Sequence, residues 1–306
     1  MINSQQTSSN TQQYKSKRQQ KIAEKLSKNK QSSNTSTKTC FRDAERNFKS
    51  RLPPPDFSFI FIPNPFTPAI QKFIIKKCLK DYAKSPNISN LDTHYLLPKD
   101  GLWNLHEKYF NKDHDDEKDG ENEPSQLIRK LRWITLGYQY HWPSKTYHFD
   151  RKFPFPKDLE NLTKLVVLAI NGLSDTHNNL LFDYSPEEWK PEAGVVNFYQ
   201  SKDSLMAHID KSEENMSAPL ISFSFGHSCI FLIGGSTRDI PPEALYLRSG
   251  DISIMYGPSR ANFHGVPRIL ENTLPSYLEQ SNNNDPDWNI YAEYMSTSRI
   301  NVNVRQ

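Results

Sequence analysis

At 306 residues, with 38 Lys and Arg against 35 Asp and Glu, the chain carries a formal charge of only +3, so any nucleic-acid-binding basic footprint has to be local rather than global. Three widely spaced cysteines, Cys40, Cys78 and Cys229, argue against a disulfide framework and a cysteine-based zinc site, and fit a reducing compartment. No run approaches the ~20 apolar residues of a membrane span and no signal-peptide core follows the start, so the sequence reads as soluble and intracellular, with no membrane partner.

Residues 1–40 are Ser, Gln, Asn and Lys, with eight Lys or Arg against the single acid Glu24. With so little to bury they read as a disordered basic tail. A solubilising tail is the commonest meaning of such a segment. A nuclear-import or nucleic-acid-tethering arm is the sharper one, and an organelle transit peptide fits less well because Arg is scarce and the apolar stripe weak. Nucleus and cytoplasm are therefore the expected compartments, with the mitochondrion as the alternative.

Residues 41–130 read as a helical N-terminal extension. The proline run in "FRDAERNFKSRLPPPDF" marks a connector, and "TPAIQKFIIKKCLKDYAK" (Thr67 to Lys84) places Ile70, Phe73, Ile74, Cys78 and Leu79 at helical spacing behind a Thr cap and a first-turn proline. An acidic insert at about 112–125, clustered around His114, reads as a solvated loop rather than a metal site. Residues 131–306 form the main domain. "LRWITLGYQYHWPSKTYHF" is dense in strand formers, Asp158 to Leu173 reads as an amphipathic helix, and from Ala193 onward the period shortens to two. Helices first and short strands after, separated by Gly, Pro, Ser and Asp, predict an α+β chain with a sandwich or jelly-roll core.

The motif "HID" sets His208 and Asp210 on one face of an extended segment. His264, far downstream in "SRANFHGVPRIL", completes two histidines and one carboxylate. That set suits non-haem Fe(II) with open positions, whereas zinc more often recruits a third His or Cys. Taken alone, the motif is weak in a chain with nine histidines. In "RINVNVRQ", Ile300, Val302 and Val304 face one way and Arg299, Asn301, Asn303 and Arg305 the other. The arginines and amides face either solvent, as on an edge strand, or a carboxylate that an Arg fork would hold. Asn197 and Tyr199 share a face in "VVNFYQ", as a turn amide and a buried tyrosine or as donors to the same ligand.

The order N-x-Y, H-x-D, a distant H and R-x-N-x-x-x-R, with "LRWITLGYQYHW", "PLISFSFG", "IFLIGG" and "SGDISIMYGPSR", resembles the AlkB family of Fe(II)/2-oxoglutarate dioxygenases. It is most similar to the eukaryotic AlkB homologue 1 branch, over about residues 41–306. The resemblance implies a double-stranded β-helix, with His208, Asp210 and His264 as catalytic iron ligands and Arg299 on the far carboxylate of 2-oxoglutarate. Asn197, Tyr199, Asn301 and Arg305 would line the cofactor pocket. Fe(II), 2-oxoglutarate and O2 would be the cofactor set. The implied reaction is oxidative demethylation of bases such as 1-methyladenine or 3-methylcytosine in DNA or RNA, tRNA included; demethylation or hydroxylation of a protein such as a histone is the alternative. On the substrate side the resemblance points to Trp133, Tyr138, Tyr140 and Arg238, against the plain alternative that half of an aromatic strand packs the core. A basic groove would draw on Lys145, Arg151, Lys152, Lys157, Arg238 and Arg260. Ser212 stands where the bacterial enzyme has a second aspartate, and Lys211 with Glu213 reads as a surface ion pair.

Overall fold

A computed structural model describes residues 58–110, 123–173, 182, 184–280 and 285–306. The basic tail, and the acidic insert with His114 up to residue 122, lie outside the described residues.

Twelve strands among the described residues form two antiparallel sheets. The large sheet contains β1 (Phe59–Ile62), β2 (Ile88–Ser89), β3 (Trp133–His141), β5 (Ala193–Gln200), β7 (Leu220–Gly226), β10 (Ile252–Met255) and β12 (Ser298–Arg305), in the order β1-β10-β7-β12-β5-β3-β2, with β4 (Thr146–Lys152) on β3. The small sheet runs β6 (Leu205–His208), β11 (His264–Ile269), β8 (Cys229–Ile233) and β9 (Glu243–Leu247). Two antiparallel sheets with helices behind the larger one agree with the expected double-stranded β-helix.

The alternation read in "RINVNVRQ" decides the centre of the molecule. β12 lies between β5 and β7, in register with both, so it is no edge strand and its polar face is not a wet edge. Ile300, Val302 and Val304 are fully buried in the main core, each removal from water contributing about 1.5–3 kcal/mol. The opposite face, Arg299 to Arg305, turns toward the space between the sheets. A second apolar cluster there, including Tyr199, Leu220, Phe231, Leu247, Met255 and Val266, closes the base of that space.

Among the described residues, five α-helices pack behind the large sheet or around it: α1 (Pro68–Lys76), α2 (Leu102–Phe110), α3 (Pro124–Arg129), α4 (Lys157–Ile170) and α5 (Asn289–Met295). Thr67 caps α1, its Oγ1 accepting from the Ile70 N–H at 3.4 Å with Pro68 in the first turn. The helix continues as a wider turn through Lys77–Tyr82. Its buried face is not the one the apolar spacing suggests: Ile74, Cys78 and Leu79 are buried, but Ile70 and Phe73 are exposed. Gln71 is the reason. Fully buried, it donates to Asn64 Oδ1 at 2.9 Å and accepts from Ser249 Oγ at 2.6 Å, and satisfying that amide turns Ile70 and Phe73 outward. The α4 helix buries Leu159, Thr163, Val166, Val167 and Ile170, a helical stripe as expected.

The described part of 41–130 carries two short strands beside its helices. β1 pairs with β10 at one edge of the large sheet and β2 with β3 at the other, and Ile60, Ile75, Leu79 and Trp103 belong to the same core cluster as Val302.

Candidate metal and cosubstrate site

The three residues of the expected triad converge from two strands of the small sheet. β6 ends at His208 and β11 begins at His264, and the two are direct cross-strand partners with ring centroids 4.4 Å apart. Asp210 follows two residues beyond the end of β6, in irregular backbone outside the ladder, so strand alternation alone does not place its carboxylate. His208 Nε2 lies 3.7 Å from Asp210 Oδ1 and His264 Nε2 3.5 Å from Asp210 Oδ2. One ligand atom from each residue falls within 4.8 Å of the others.

Each imidazole is oriented by its other nitrogen. His208 Nδ1 donates to the Met206 carbonyl at 2.9 Å and His264 Nδ1 to the Asn262 carbonyl at 3.1 Å. A carbonyl only accepts, which assigns the proton to Nδ1 and leaves the Nε2 lone pairs for a metal. Burial, and next the neighbouring His264, push the His208 pKa down, favouring the neutral ligand form. Burial alone would push Asp210 up, but the Arg305 charge beside it holds its carboxyl well below the ordinary range. The donor set is two neutral imidazoles and one carboxylate on a single side of the site, which fits Fe(II).

Arg299 is 1% exposed in mid-sheet, donating Nη1 to the His227 carbonyl at 3.1 Å and Nη2 to Ser224 Oγ at 2.7 Å. Its Nε has no partner and it makes no ion pair among the described residues. A buried cation held only by neutral acceptors is poised for an anion, and Arg299 lines a cavity of about 600 Å³ together with the triad. Tyr199 and Asn197 sit directly across from Arg299 and Asn301 on β5, and all four line that cavity. Burial pushes the Tyr199 hydroxyl up, keeping it a neutral donor. The Asn301 amide donates to Ser222 Oγ at 2.8 Å and to the Phe223 carbonyl at 3.1 Å. Arg305 also lines the cavity, but its guanidinium is engaged: Nη2 donates to Asp210 Oδ2 at 2.9 Å, and Nη1 to Glu213 Oε1 at 2.7 Å and Tyr147 OH at 3.3 Å.

The expected substrate-side residues divide. Tyr140 and Arg238 line the cavity, with the Arg238 guanidinium 5.1 Å from the Phe263 ring. Trp133 and Tyr138 do not line it. Trp133 packs on Trp142 at 5.1 Å, and Tyr138 holds Lys152 Nζ at 4.2 Å and Phe149 at 5.4 Å. The pairing of β3 with β4 slips between Tyr138 and Gln139, and the unpaired residues 149–151 lie on β4, with Phe149 against Tyr138. Trp142, Lys145, Lys211 and Ser212 join the mouth of the cavity, Ser212 Oγ donating to the Lys145 carbonyl at 2.9 Å.

Of the basic groove candidates, only Lys145 and Arg238 line the cavity. Lys152 pairs with Glu192 and Lys157 with Glu160, while Arg151 is exposed on β4. Arg260 is 2% exposed and pairs with Glu213 at 2.9 Å. Glu213 corrects the expected surface pair with Lys211: it is buried between Arg260 and Arg305. Nothing in local sequence announces that, because its partners lie on other elements.

Residues 59–305 match the family profile of the 2OG-Fe(II) oxygenase superfamily. The chain is 39% identical over 265 residues to "Nucleic acid dioxygenase ALKBH1" of Homo sapiens, a match covering 81% of this chain and 64% of that protein. It is 38% identical over 257 residues to "tRNA demethylase abh1" of Schizosaccharomyces pombe, covering 81% of this chain and 78% of that one. The chain thus spans just under two thirds of the length of the human relative. The solved structure of OsALKBH1 superposes with a TM-score of 0.56 at 22% identity, covering 84% of this chain and 98% of that chain, a likeness of fold.

Proposed function

The chain belongs to the 2OG-Fe(II) oxygenase superfamily, in its AlkB family, and from that premise we propose that it oxidatively removes methyl groups from base nitrogens in nucleic acid, with tRNA first and 1-methyladenine or 3-methylcytosine as the bases. The relatives' names, a nucleic acid dioxygenase and a tRNA demethylase, support this direction.

One observation carries the choice of polymer. Lys145, Lys211, Arg238, Arg299 and Arg305 line the cavity, while Asp210 is its one carboxylate among the described residues. With Arg305 spent on Asp210 and Arg299 deep in the sheet, Lys145, Lys211 and Arg238 remain near the mouth, and none of them is ion-paired among the described residues. Phosphates fit that field. A methylated lysine keeps its positive charge and would meet like charge without the acidic partner that a cation site needs. The histone reading has no comparable observation in its favour.

Each part then has a task. His208, Asp210 and His264 hold Fe(II); the Arg299 fork binds the distal carboxylate of 2-oxoglutarate, with Tyr199 and Asn197 beside it. Bound Fe(II), with 2-oxoglutarate and O2, supplies the oxidation that hydroxylates an N-methyl carbon, releasing formaldehyde, succinate and carbon dioxide. Tyr140 and Trp142 offer stacking faces to an extruded base, and the apolar base of the cavity keeps bulk water out.

Binding measured against salt tests the polymer. An unmodified RNA stem-loop should bind with a steep salt dependence, and Lys145→Ala, Lys211→Ala or Arg238→Ala should each lower the slope of log affinity on log salt by about 0.7–1. Salt-independent binding, or tighter binding of a trimethyl-lysine peptide, would overturn the assignment.

A further inference from the structure

Four charged side chains form a continuous ladder beneath the triad: Arg260, Glu213, Arg305 and Asp210. Arg260 Nη2 donates to Glu213 Oε2 at 2.9 Å, Arg305 Nη1 to Glu213 Oε1 at 2.7 Å, and Arg305 Nη2 to Asp210 Oδ2 at 2.9 Å. Arg260 and Glu213 are each only 2% exposed at the side chain, Arg305 7%. The signs alternate, so each interior charge has an opposite one on either side, the arrangement that buried ions require.

We propose that Glu213 is a positioning residue of the metal site, holding one arm of the Arg305 guanidinium so that only the other arm reaches Asp210. The inference rests on reading the triad as a metal centre. An arginine facing a lone carboxylate tends to take both oxygens in a fork. Here Glu213 and the Tyr147 hydroxyl occupy Nη1, so Arg305 takes Oδ2 alone and Asp210 Oδ1 is left toward His208. Without Glu213, Arg260 would lose its partner and the freed arm of Arg305 would turn to the remaining carboxylate, drawing Asp210 from metal ligand to counter-ion. Arg260 completes the ladder at its far end without touching Asp210. Its effect on the metal therefore passes through Glu213, and its first role is to balance the Glu213 charge.

Co(II), an oxygen-stable stand-in for Fe(II), separates positioning from folding. The full chain and its Glu213→Gln, Arg260→Gln and doubly substituted forms would be titrated with Co(II), following the d–d absorption and calorimetric Kd, with a thermal midpoint for each. Glu213→Gln should weaken Co(II) binding by about 10- to 100-fold, the usual effect of removing a partner that orients a metal ligand. Arg260→Gln should lower the midpoint while changing Kd by less than about threefold. The double form should recover midpoint relative to Glu213→Gln, because no buried guanidinium is orphaned, yet keep the weakened Kd. A Kd that returns to wild type in the double form, or never changes in Glu213→Gln, overturns the inference and leaves Glu213 a purely structural ion. If neither Glu213 variant folds, the same conclusion follows. Absence of a stoichiometric Co(II) site in the wild-type chain would instead remove the metal-centre reading and this inference with it.

Discussion

Replacing Arg299 by Met should separate cosubstrate binding from stability. In the folded chain the guanidinium gives up hydration for two neutral acceptors, the His227 carbonyl and Ser224 Oγ, with no ion pair among the described residues. Each bond from a charged donor contributes about 1.5–3 kcal/mol, and burying an uncompensated cation costs several kcal/mol in return. The two nearly offset, and Met fills much of the same volume. The thermal midpoint of the cosubstrate-free protein should therefore move by no more than about 4 °C, about 1 kcal/mol for a domain of this size. Binding behaves differently, since removing one partner of a buried carboxylate–arginine pair costs about 2–5 kcal/mol. At about 1.4 kcal/mol per decade that is a rise in the 2-oxoglutarate Kd from roughly thirtyfold to several thousandfold. Calorimetric titration of 2-oxoglutarate into the Co(II)-loaded protein, beside a thermal melt without it, reads both quantities. A Kd within about threefold of wild type would refute the role of Arg299; weak binding accompanied by a collapsed midpoint would show that the guanidinium holds the sheet rather than the ligand.

His106 is 3% exposed and neither ring nitrogen has a partner among the described residues; burial pushes its pKa down, so below the ordinary value of about 6.5 the unfolded chain takes a proton that the folded one refuses, and stability falls as pH drops. His106→Leu should stabilise by about 1 kcal/mol at pH 7 and flatten that acid loss between pH 6.5 and 5 in urea titrations; an unchanged pH slope would count against it. Gly226 ends β7 at φ +86°, opposite Arg299, and a Cβ there would lie 2.3 Å from Met295 Cε and 2.7 Å from the Ser298 carbonyl, so Gly226→Ala should cost at least about 2 kcal/mol and weaken 2-oxoglutarate binding as well. Tyr140→Ala or Trp142→Ala should weaken binding of a methylated oligonucleotide by about 1–3 kcal/mol, whereas Tyr138→Ala, outside the cavity, should leave it unchanged in the same fluorescence-anisotropy titration.

The parts of the molecule legible in sequence are those governed by local period. The alternation of Ile300, Val302 and Val304 with Arg299, Asn301, Asn303 and Arg305 follows from strand geometry alone, and it divides core from cavity, where the sequence left a wet edge as the alternative. The Thr67–Pro68 start of α1 is equally local. His208, Asp210 and His264 converge as the motif order and family resemblance implied. What stayed hidden depends on partners far away in the chain. Gln71 turns α1 because Asn64 and Ser249 wait for its amide. Glu213 is buried because Arg260 and Arg305, 47 and 92 positions away, close on it. The surroundings of Tyr138 depend on a slip in pairing that leaves residues 149–151 of β4 unpaired beside it, which a two-residue period cannot show. The strands at 59–62 and 88–89 are too short to signal themselves, and exist because β10 and β3 offer them an edge.

Succinate and formaldehyde release under Fe(II), ascorbate and 2-oxoglutarate reads the proposed demethylation itself. Matched 1-methyladenine- and 3-methylcytosine-bearing tRNA, single-stranded DNA carrying the same bases, and trimethylated histone peptides would be offered side by side, with Asp210→Ala as the blank. Stoichiometric succinate and formaldehyde from a nucleic acid, tRNA foremost, lost in the variant, is the expected result. Turnover confined to the peptides, or nucleic-acid turnover undiminished in Asp210→Ala, would contradict it.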